Sequence, residues 1–214
     1  MAATASAPTA ARIRRPPYPW LGPGVWIGGM VPLLAVIVRA YQGTLTANPI
    51  AEAMNYLGLA ALVLLLGSLA CTPARHLFGW TWPARIRRDL GLLAFAYAVV
   101  HFAVYLVLDQ TLNLGMVWAD IYERPFITVG FAALVIMVPL ALTSTKKSIR
   151  DLGYVRWRNL HRLIYVAGAL AVIHFIWRVK LDVSQPMTYA VVLGVLLAVR
   201  VMVWYSKRDT TARA

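Results

Sequence analysis

Apolar residues form six long runs along the chain, separated by short polar segments. Each run approaches the roughly 20 residues that a helix needs to cross a bilayer. The runs cover residues 21–40, 53–72, 89–109, 126–144, 159–178 and 187–205. Glycine and proline interrupt the first run, which a signal peptide can also explain, but no clear small-residue cleavage site follows it. The pattern therefore predicts an all-α membrane protein whose six helices form a transmembrane bundle.

The composition agrees with this prediction and excludes two other classes. Of the 214 residues, 60% are hydrophobic and only 14% are charged, whereas about a quarter of a soluble domain is charged. A soluble enzyme and an intrinsically disordered chain are therefore excluded. We expect one membrane domain over residues 21–205. Residues 1–20 and 206–214 are expected to be flexible cytoplasmic tails.

Basic residues are concentrated in the loops that would lie on the same side of the membrane as both termini. The chain has 21 Lys and Arg against 8 Asp and Glu, a formal net charge of +13. Because cytoplasmic loops collect Lys and Arg, both termini are predicted to be cytoplasmic. This topology and contact with anionic lipid explain the charge without a nucleic-acid partner. Arg200, inside the sixth run, is expected to snorkel toward the C-terminal end of its helix. Acidic residues in the loops on the other side of the membrane either bind a basic partner surface or are ordinary solvated residues. They include Asp109, Asp120, Glu123 and Asp182.

Candidate chemistry comes from three histidines inside the predicted helices, His101, His161 and His174. Ionisable side chains in a membrane are costly and are functional candidates. Two buried neutral imidazoles are what bis-histidine ligation of a haem iron requires, whereas a proton relay would more often include Asp or Glu. The single cysteine excludes an internal disulfide, a Cys-ligated zinc cluster and an iron–sulfur centre held by this chain alone. The alternative is a small transporter or assembly factor with a histidine-bound metal or a proton relay.

The depths of the histidines indicate which of them pair. At a rise of about 1.5 Å per residue, His101 lies about 12 Å from the polar end at Asp109, and His174 about 6 Å from the end at Arg178. The two are expected to bind one haem in the periplasmic half. His161 lies about 20 Å deeper than His174, which suits a second, stacked haem. Since 13 residues leave the two rings about 140° apart on an ideal helix, a bend near Gly168 is expected.

Seven sequence segments carry a resemblance to a known family. They are Asn48–Ile50, Ser68–Pro73, Arg87–Leu92, Asp120–Gly130, Leu142–Ser144, Leu152–Leu163 and His174–Trp177. With these segments the chain resembles the MsrQ (YedZ) family, within the ferric-reductase-like transmembrane superfamily. The resemblance covers residues 20–205.

The resemblance implies a b-type haem subunit of the bacterial inner membrane that transfers electrons to a periplasmic molybdopterin methionine-sulfoxide reductase. Sulfoxide reduction in oxidised proteins is then expected on the partner. The family's haem histidines fall on His101, His161 and His174. One or two haems b are expected. A flavin mononucleotide is implied by the family only, since this sequence shows no binding motif for it.

Two departures from the wider superfamily affect the expected chemistry. Relatives with two haems have a histidine 13 or 14 residues before the one that corresponds to His101, where this chain has Arg87 and Arg88. These arginines are expected to bind a haem propionate, to anchor the helix at lipid headgroups, or to act as an unusual ligand; water and His76 are the other candidates for the sixth position. The sequence also has no Gly-x-Gly-x-x-Gly or phosphate loop. The expected electron donor is therefore a quinol or a cytoplasmic flavin reductase.

Overall fold

The computed structural model describes residues 18–212, with side chains as far as residue 206. The tail expected at residues 1–20 lies almost entirely outside the described residues, as do the side chains beyond residue 206. Within the described part all regular elements are helices: α1 Leu21–Tyr41, α2 Pro49–Phe78, α3 Pro83–Val104, α4 Leu114–Glu123, α5 Pro125–Leu142, α6 Lys146–Leu152, α7 Tyr154–His161, α8 Leu163–Arg178 and α9 Ser184–Ala212. One π-helical turn, Tyr105–Asp109, continues α3.

Six segments are long and apolar enough to cross a membrane, which confirms the predicted multi-pass bundle. They are Leu21–Tyr41, Pro49–Phe78, Pro83–Asp109, Pro125–Leu142, Tyr154–Arg178 and Ser184–Ser206. The predicted runs for α2, α3 and α7 begin four to six residues too late, because Pro, Glu or Arg residues near the starts of these helices interrupt the apolar pattern. The first run forms α1 despite the internal Pro32.

Local sequence signals set the helix ends. The Asn48 side chain accepts a hydrogen bond from Ala51 N at 3.1 Å, and Pro49 follows at the first helical position of α2. Both are favoured at a helix start, because the cap satisfies a free N–H group and proline has none to satisfy. At the other end of α2, Gly79 has φ 69°. A glycine tolerates this left-handed conformation and so ends the helix.

Helix α2 is the centre of the bundle. In its most apolar stretch 44% of the residues are buried, against 6–17% in the other five spanning segments. It packs most extensively on α3, and the second most extensive helix pair is α5 with α8. The two pairs are joined by core residues from four helices, namely Leu65, Ala94, Met137 and Ala167. The remaining faces are apolar and exposed, as expected of surfaces that face lipid.

Helix α1 is attached to α3 through a tyrosine hydroxyl. Tyr97 donates to Gly29 O at 2.5 Å and accepts from Leu33 N at 3.0 Å. The hydroxyl thus lies between a helical N–H and the carbonyl four residues earlier that it would normally bind. Gly29 is buried against Leu93, which lies one turn before Tyr97. The contact fixes α1 against the helix that carries His101.

The fifth predicted span is interrupted close to His161. Helix α7 ends at His161, Arg162 caps it, and α8 begins at Leu163 and continues through Gly168. The bend expected near Gly168 is therefore wrong in position, since that residue is buried inside a continuous helix. Because the break directly follows His161, the ideal-helix angle between His161 and His174 does not apply.

Asp120 of α4 connects the end of α3 to the start of α5. It accepts hydrogen bonds from Tyr105 Oη at 2.9 Å and from Gln110 Nε2 at 3.1 Å. It also pairs with Arg124 at 2.9 Å, and only 13% of its side chain is exposed. The carboxylate is thus engaged by neighbours within the chain, whereas the sequence alone predicts either a docking residue or a solvated one.

Asp120→Ala is expected to lower the free energy of unfolding in detergent by about 1–3 kcal/mol, because it removes the acceptor of two hydrogen bonds and an ion pair. Thermal melting of the purified protein measures the loss. Glu123→Ala is the matched control, since Glu123 is exposed on the same helix. It is expected to change stability by less than about 0.5 kcal/mol. Equal losses in the two variants would contradict the role given to Asp120.

Candidate haem-binding site

His101 of α3 and His174 of α8 lie side by side in the interior. Their ring centroids are 6.3 Å apart and their planes are inclined by 83°. Two imidazoles on opposite sides of a metal, each with its nitrogen about 2 Å from the ion, have centroids about 6 Å apart. The separation therefore fits one metal ion between the rings. The structure brings together the two histidines that the helix depths predict as partners.

Each of the two rings is oriented by a backbone carbonyl of a neighbouring helix. His101 Nδ1 lies 2.8 Å from Met54 O of α2, and His174 Nδ1 lies 2.7 Å from Phe126 O of α5. Because a carbonyl only accepts, both histidines donate through Nδ1. Nε2 then has the free lone pair, which is the state that a metal ligand requires.

The surroundings of the pair favour a haem over a metal bound by protein ligands alone. Among the described residues, no three His, Cys, Asp or Glu side chains come close enough together to hold a metal ion. A porphyrin supplies four nitrogens itself and needs only the two axial ones. Phe126 packs on His174, and Arg178, one turn after His174, is near enough for its charge to act on both rings. An aromatic ring beside His174 and a cation near both imidazoles are the kinds of groups that would contact a porphyrin and its propionate.

His161 lies apart from this pair and is bound differently. Its ring stacks on Trp157 with the centroids 4.2 Å apart, and its Nε2 lies 3.0 Å from Thr143 Oγ1. The Thr143 hydroxyl donates to Pro139 O at 2.6 Å, so it accepts from His161. The proton of His161 is therefore on Nε2, the opposite of the other two rings. Iron ligation through Nε2 would require the loss of this hydrogen bond.

A cavity of about 560 Å³ opens beside His161. Its volume is in the range of cofactor sites. The described residues that line it include six cations and no Asp or Glu; the cations are Arg87, Arg88, Lys146, Arg158, Arg162 and Arg200. Such a surplus of positive charge next to apolar walls favours an anionic ligand. We call this space the cationic cavity.

Arg87 and Arg88, which the sequence analysis expects beside a second haem, line the same cavity as His161. Arg87 Nη1 donates to Thr72 Oγ1 at 3.4 Å. His76, the other ligand considered for this side, is exposed at the end of α2 and is not among the described residues that line the cavity. The structure thus gives the two arginines, and not His76, as the neighbours of His161.

Arg200 turns into the bundle instead of extending to its surface. Its guanidinium donates to Leu69 O and to Leu196 O, and it lies over the Tyr165 ring with its Cζ 5.2 Å from the centroid. Its Nε is buried and has no hydrogen-bond partner among the described residues. The expected snorkelling is therefore wrong, and Arg200 contributes charge to the cationic cavity.

Sequence reasoning missed four contributors to these sites. Arg200 could have been found because it is a charged residue inside an apolar run. Arg178 could have been found because it lies four residues after His174, on the same face of the helix. The carbonyls of Met54 and Phe126 carry no side-chain signal, because any residue supplies a carbonyl.

Comparisons with known proteins show the family to which the chain belongs. The family described as ferric reductase like transmembrane component matches residues 54–172. Three relatives are named protein-methionine-sulfoxide reductase heme-binding subunit MsrQ. The protein of Deinococcus radiodurans is 54% identical over 183 residues, 86% of this chain and 90% of the relative. The protein of Rhodospirillum rubrum is 49% identical over 178 residues, which are 83% of this chain and 86% of the relative. The protein of Ralstonia nicotianae is 45% identical over 188 residues, which are 86% of this chain and 87% of the relative.

Histidine ¹⁵N NMR of the haem-free protein in detergent tests the hydrogen bonds directly. His101 and His174 are expected to be protonated on Nδ1, and His161 on Nε2. Thr143→Val should change the nitrogen shifts of His161 alone, because it removes only that acceptor. An Nε2–H tautomer at His101 or His174 would contradict the carbonyl contacts.

Proposed function

The chain belongs to the MsrQ family of haem-binding subunits within the ferric-reductase-like transmembrane proteins, and we propose on that basis that it is a b-type haem electron-transfer subunit of the bacterial inner membrane. It accepts electrons from a quinol or from a cytoplasmic flavin reductase. It passes them to a periplasmic molybdopterin methionine-sulfoxide reductase. The observation that carries the proposal is the His101–His174 pair, whose spacing and tautomers suit one iron.

Five residues have defined roles at this first haem. His101 and His174 would hold its iron through Nε2, and the carbonyls of Met54 and Phe126 hold their rings. Arg178 offers a positive charge beside the pair for a propionate. Bound haem supplies a one-electron couple between ferric and ferrous iron. Two nitrogen ligands on rigid helices keep the coordination the same in both states, which favours electron transfer.

A second haem occupies the cationic cavity in this proposal. His161 is its strong ligand, and Arg87 and Arg88 bind its propionates or substitute for the missing sixth ligand. Arg200 adds charge from α9. Because His161 must first lose its hydrogen bond to Thr143, this haem is bound more weakly than the first. The same cations would also bind the phosphate of flavin mononucleotide, which is the competing occupant; flavin fluorescence distinguishes it from haem.

The proposed electron path also needs each haem site to be assigned to a side of the membrane. Both termini and the cationic cavity are placed at the cytoplasmic side, where the basic loops favour them. The His101–His174 haem is then the periplasmic one and the exit to the reductase. The alternative, a transporter or assembly factor with a metal or proton relay, has less support, because no group of three metal-binding side chains occurs among the described residues.

His101→Ala and His174→Ala are each expected to remove the same low-spin haem or convert it to a high-spin form, because each takes one of two axial ligands. Absorption spectra of protein from haem-replete cells, before and after dithionite, measure this. His76→Ala is the matched control and should leave the spectrum unchanged. Wild-type protein that is colourless would support the alternative function. Unchanged haem content and spin state in both alanine variants would disprove the pairing.

Wild-type protein is expected to hold between one and two haems per chain, with the variable fraction at His161. His161→Ala should bring the ratio down to one and leave the spectrum of the first haem intact. Arg87→Ala and Arg88→Ala should reduce the same fraction. Haem-to-protein ratios by the pyridine haemochrome assay measure these changes. Two full low-spin haems in wild type and in both arginine variants would contradict the weak second site.

A further inference from the structure

We propose that Gly58 and Gly130 are positioning residues for the two haem ligands, each exposing the helical carbonyl that orients one histidine. This inference rests on the proposed haem function for its consequences. The contacts themselves are features of the protein chain.

The two histidine contacts follow the same pattern on two different helices. His101 binds the carbonyl of Met54, and Gly58 lies four residues later on α2. His174 binds the carbonyl of Phe126, and Gly130 lies four residues later on α5. The spacing of one helical turn is therefore shared, although the helices and the sequences around the glycines differ.

A side chain at either glycine would meet the ligand ring. A Cβ at Gly58 would lie 3.1 Å from His101 Nδ1 and Cε1, and a Cβ at Gly130 would lie 2.6 Å from His174 Nδ1 and 2.9 Å from its Cε1. The second contact is too short for any ring to tolerate in place. The first requires a shift of a few tenths of an ångström.

Helix geometry explains why the glycine must stand at this spacing. A helical carbonyl already binds the N–H four residues later, and its second lone pair points outward. Side chains tilt toward the N-terminus of the helix, so the Cβ four residues later covers that lone pair. A ring can reach it only where this Cβ is missing. The glycines therefore have a function beyond close helix packing.

Other helical glycines of the chain show that the contact is specific. A Cβ at Gly28 of α1 or at Gly194 of α9 would meet nothing within 4 Å. Replacement of glycine by alanine at these positions changes the helix propensity by the same amount, because alanine forms helices better than glycine. They supply controls that separate loss of the ring contact from a general effect of glycine replacement.

The carbonyl bond has two consequences for a bound iron. It fixes the Nδ1–H tautomer and the plane of the ring, and it makes the imidazole a stronger electron donor. A stronger donor stabilises the ferric state and lowers the reduction potential. Weakening the bond should therefore raise the potential as well as weaken haem binding.

Gly130→Ala and Gly58→Ala, compared with Gly28→Ala and Gly194→Ala, test the proposal. Gly130→Ala is expected to lower haem affinity about 10–100-fold and to convert the first haem partly to high spin. Gly58→Ala should keep the haem, with faster haem transfer to apomyoglobin and a higher midpoint potential. Gly28→Ala and Gly194→Ala should match wild type in all three measurements.

The outcomes separate this proposal from the proposed function. If wild type binds low-spin haem and both Gly130→Ala and Gly58→Ala match it, the positioning role is disproved and the haem function stands. If wild type binds no haem, the proposed function fails; histidine NMR of the haem-free variants then decides, with loss of the Nδ1–H tautomer expected. Melting temperature reports folding, and if Gly130→Ala does not fold, Gly58→Ala decides alone.

Discussion

The second lone pair of two helical carbonyls determines how the central histidines are presented. Met54 O and Phe126 O each accept from one Nδ1. The helix pairs that supply these bonds, α2 with α3 and α5 with α8, are also the most extensively packed in the bundle. Each pair thus contains one histidine and its carbonyl. Contacts between the pairs bring the two rings to a centroid distance of 6.3 Å.

The two ends of the bundle use charge in different ways. Near the start of α5, Asp120 is engaged by Tyr105, Gln110 and Arg124, so its charge is compensated within the chain. The cationic cavity has no acid among its described lining residues. The first arrangement joins the end of α3, which carries His101, to the start of α5, which carries the Phe126 carbonyl, while the second favours an anionic ligand. This difference follows the basic and acidic loops that the topology rule separates.

Much of the architecture was predictable, because membrane spanning demands long apolar runs. Helix rise predicts that His101 and His174 lie at similar depth, and the structure brings their rings together. The break at Arg162 was not predictable, since neither proline nor glycine marks it, and the hydropathy of α7 and α8 merges into one span. Gly58 and Gly130 are two of 14 glycines. Only the folded structure shows which of these glycines face a histidine.

We propose that His101 and His174 bind one iron while the carbonyls of Met54 and Phe126 hold the ring planes nearly perpendicular. Electron paramagnetic resonance of the oxidised protein tests this most directly, because perpendicular imidazole planes bring two iron d orbitals close in energy. We expect a low-spin signal of large anisotropy in wild type that is absent in His101→Ala and in His174→Ala. A wild-type spectrum without any low-spin signal, or with a rhombic low-spin signal typical of parallel rings, would contradict the paired site.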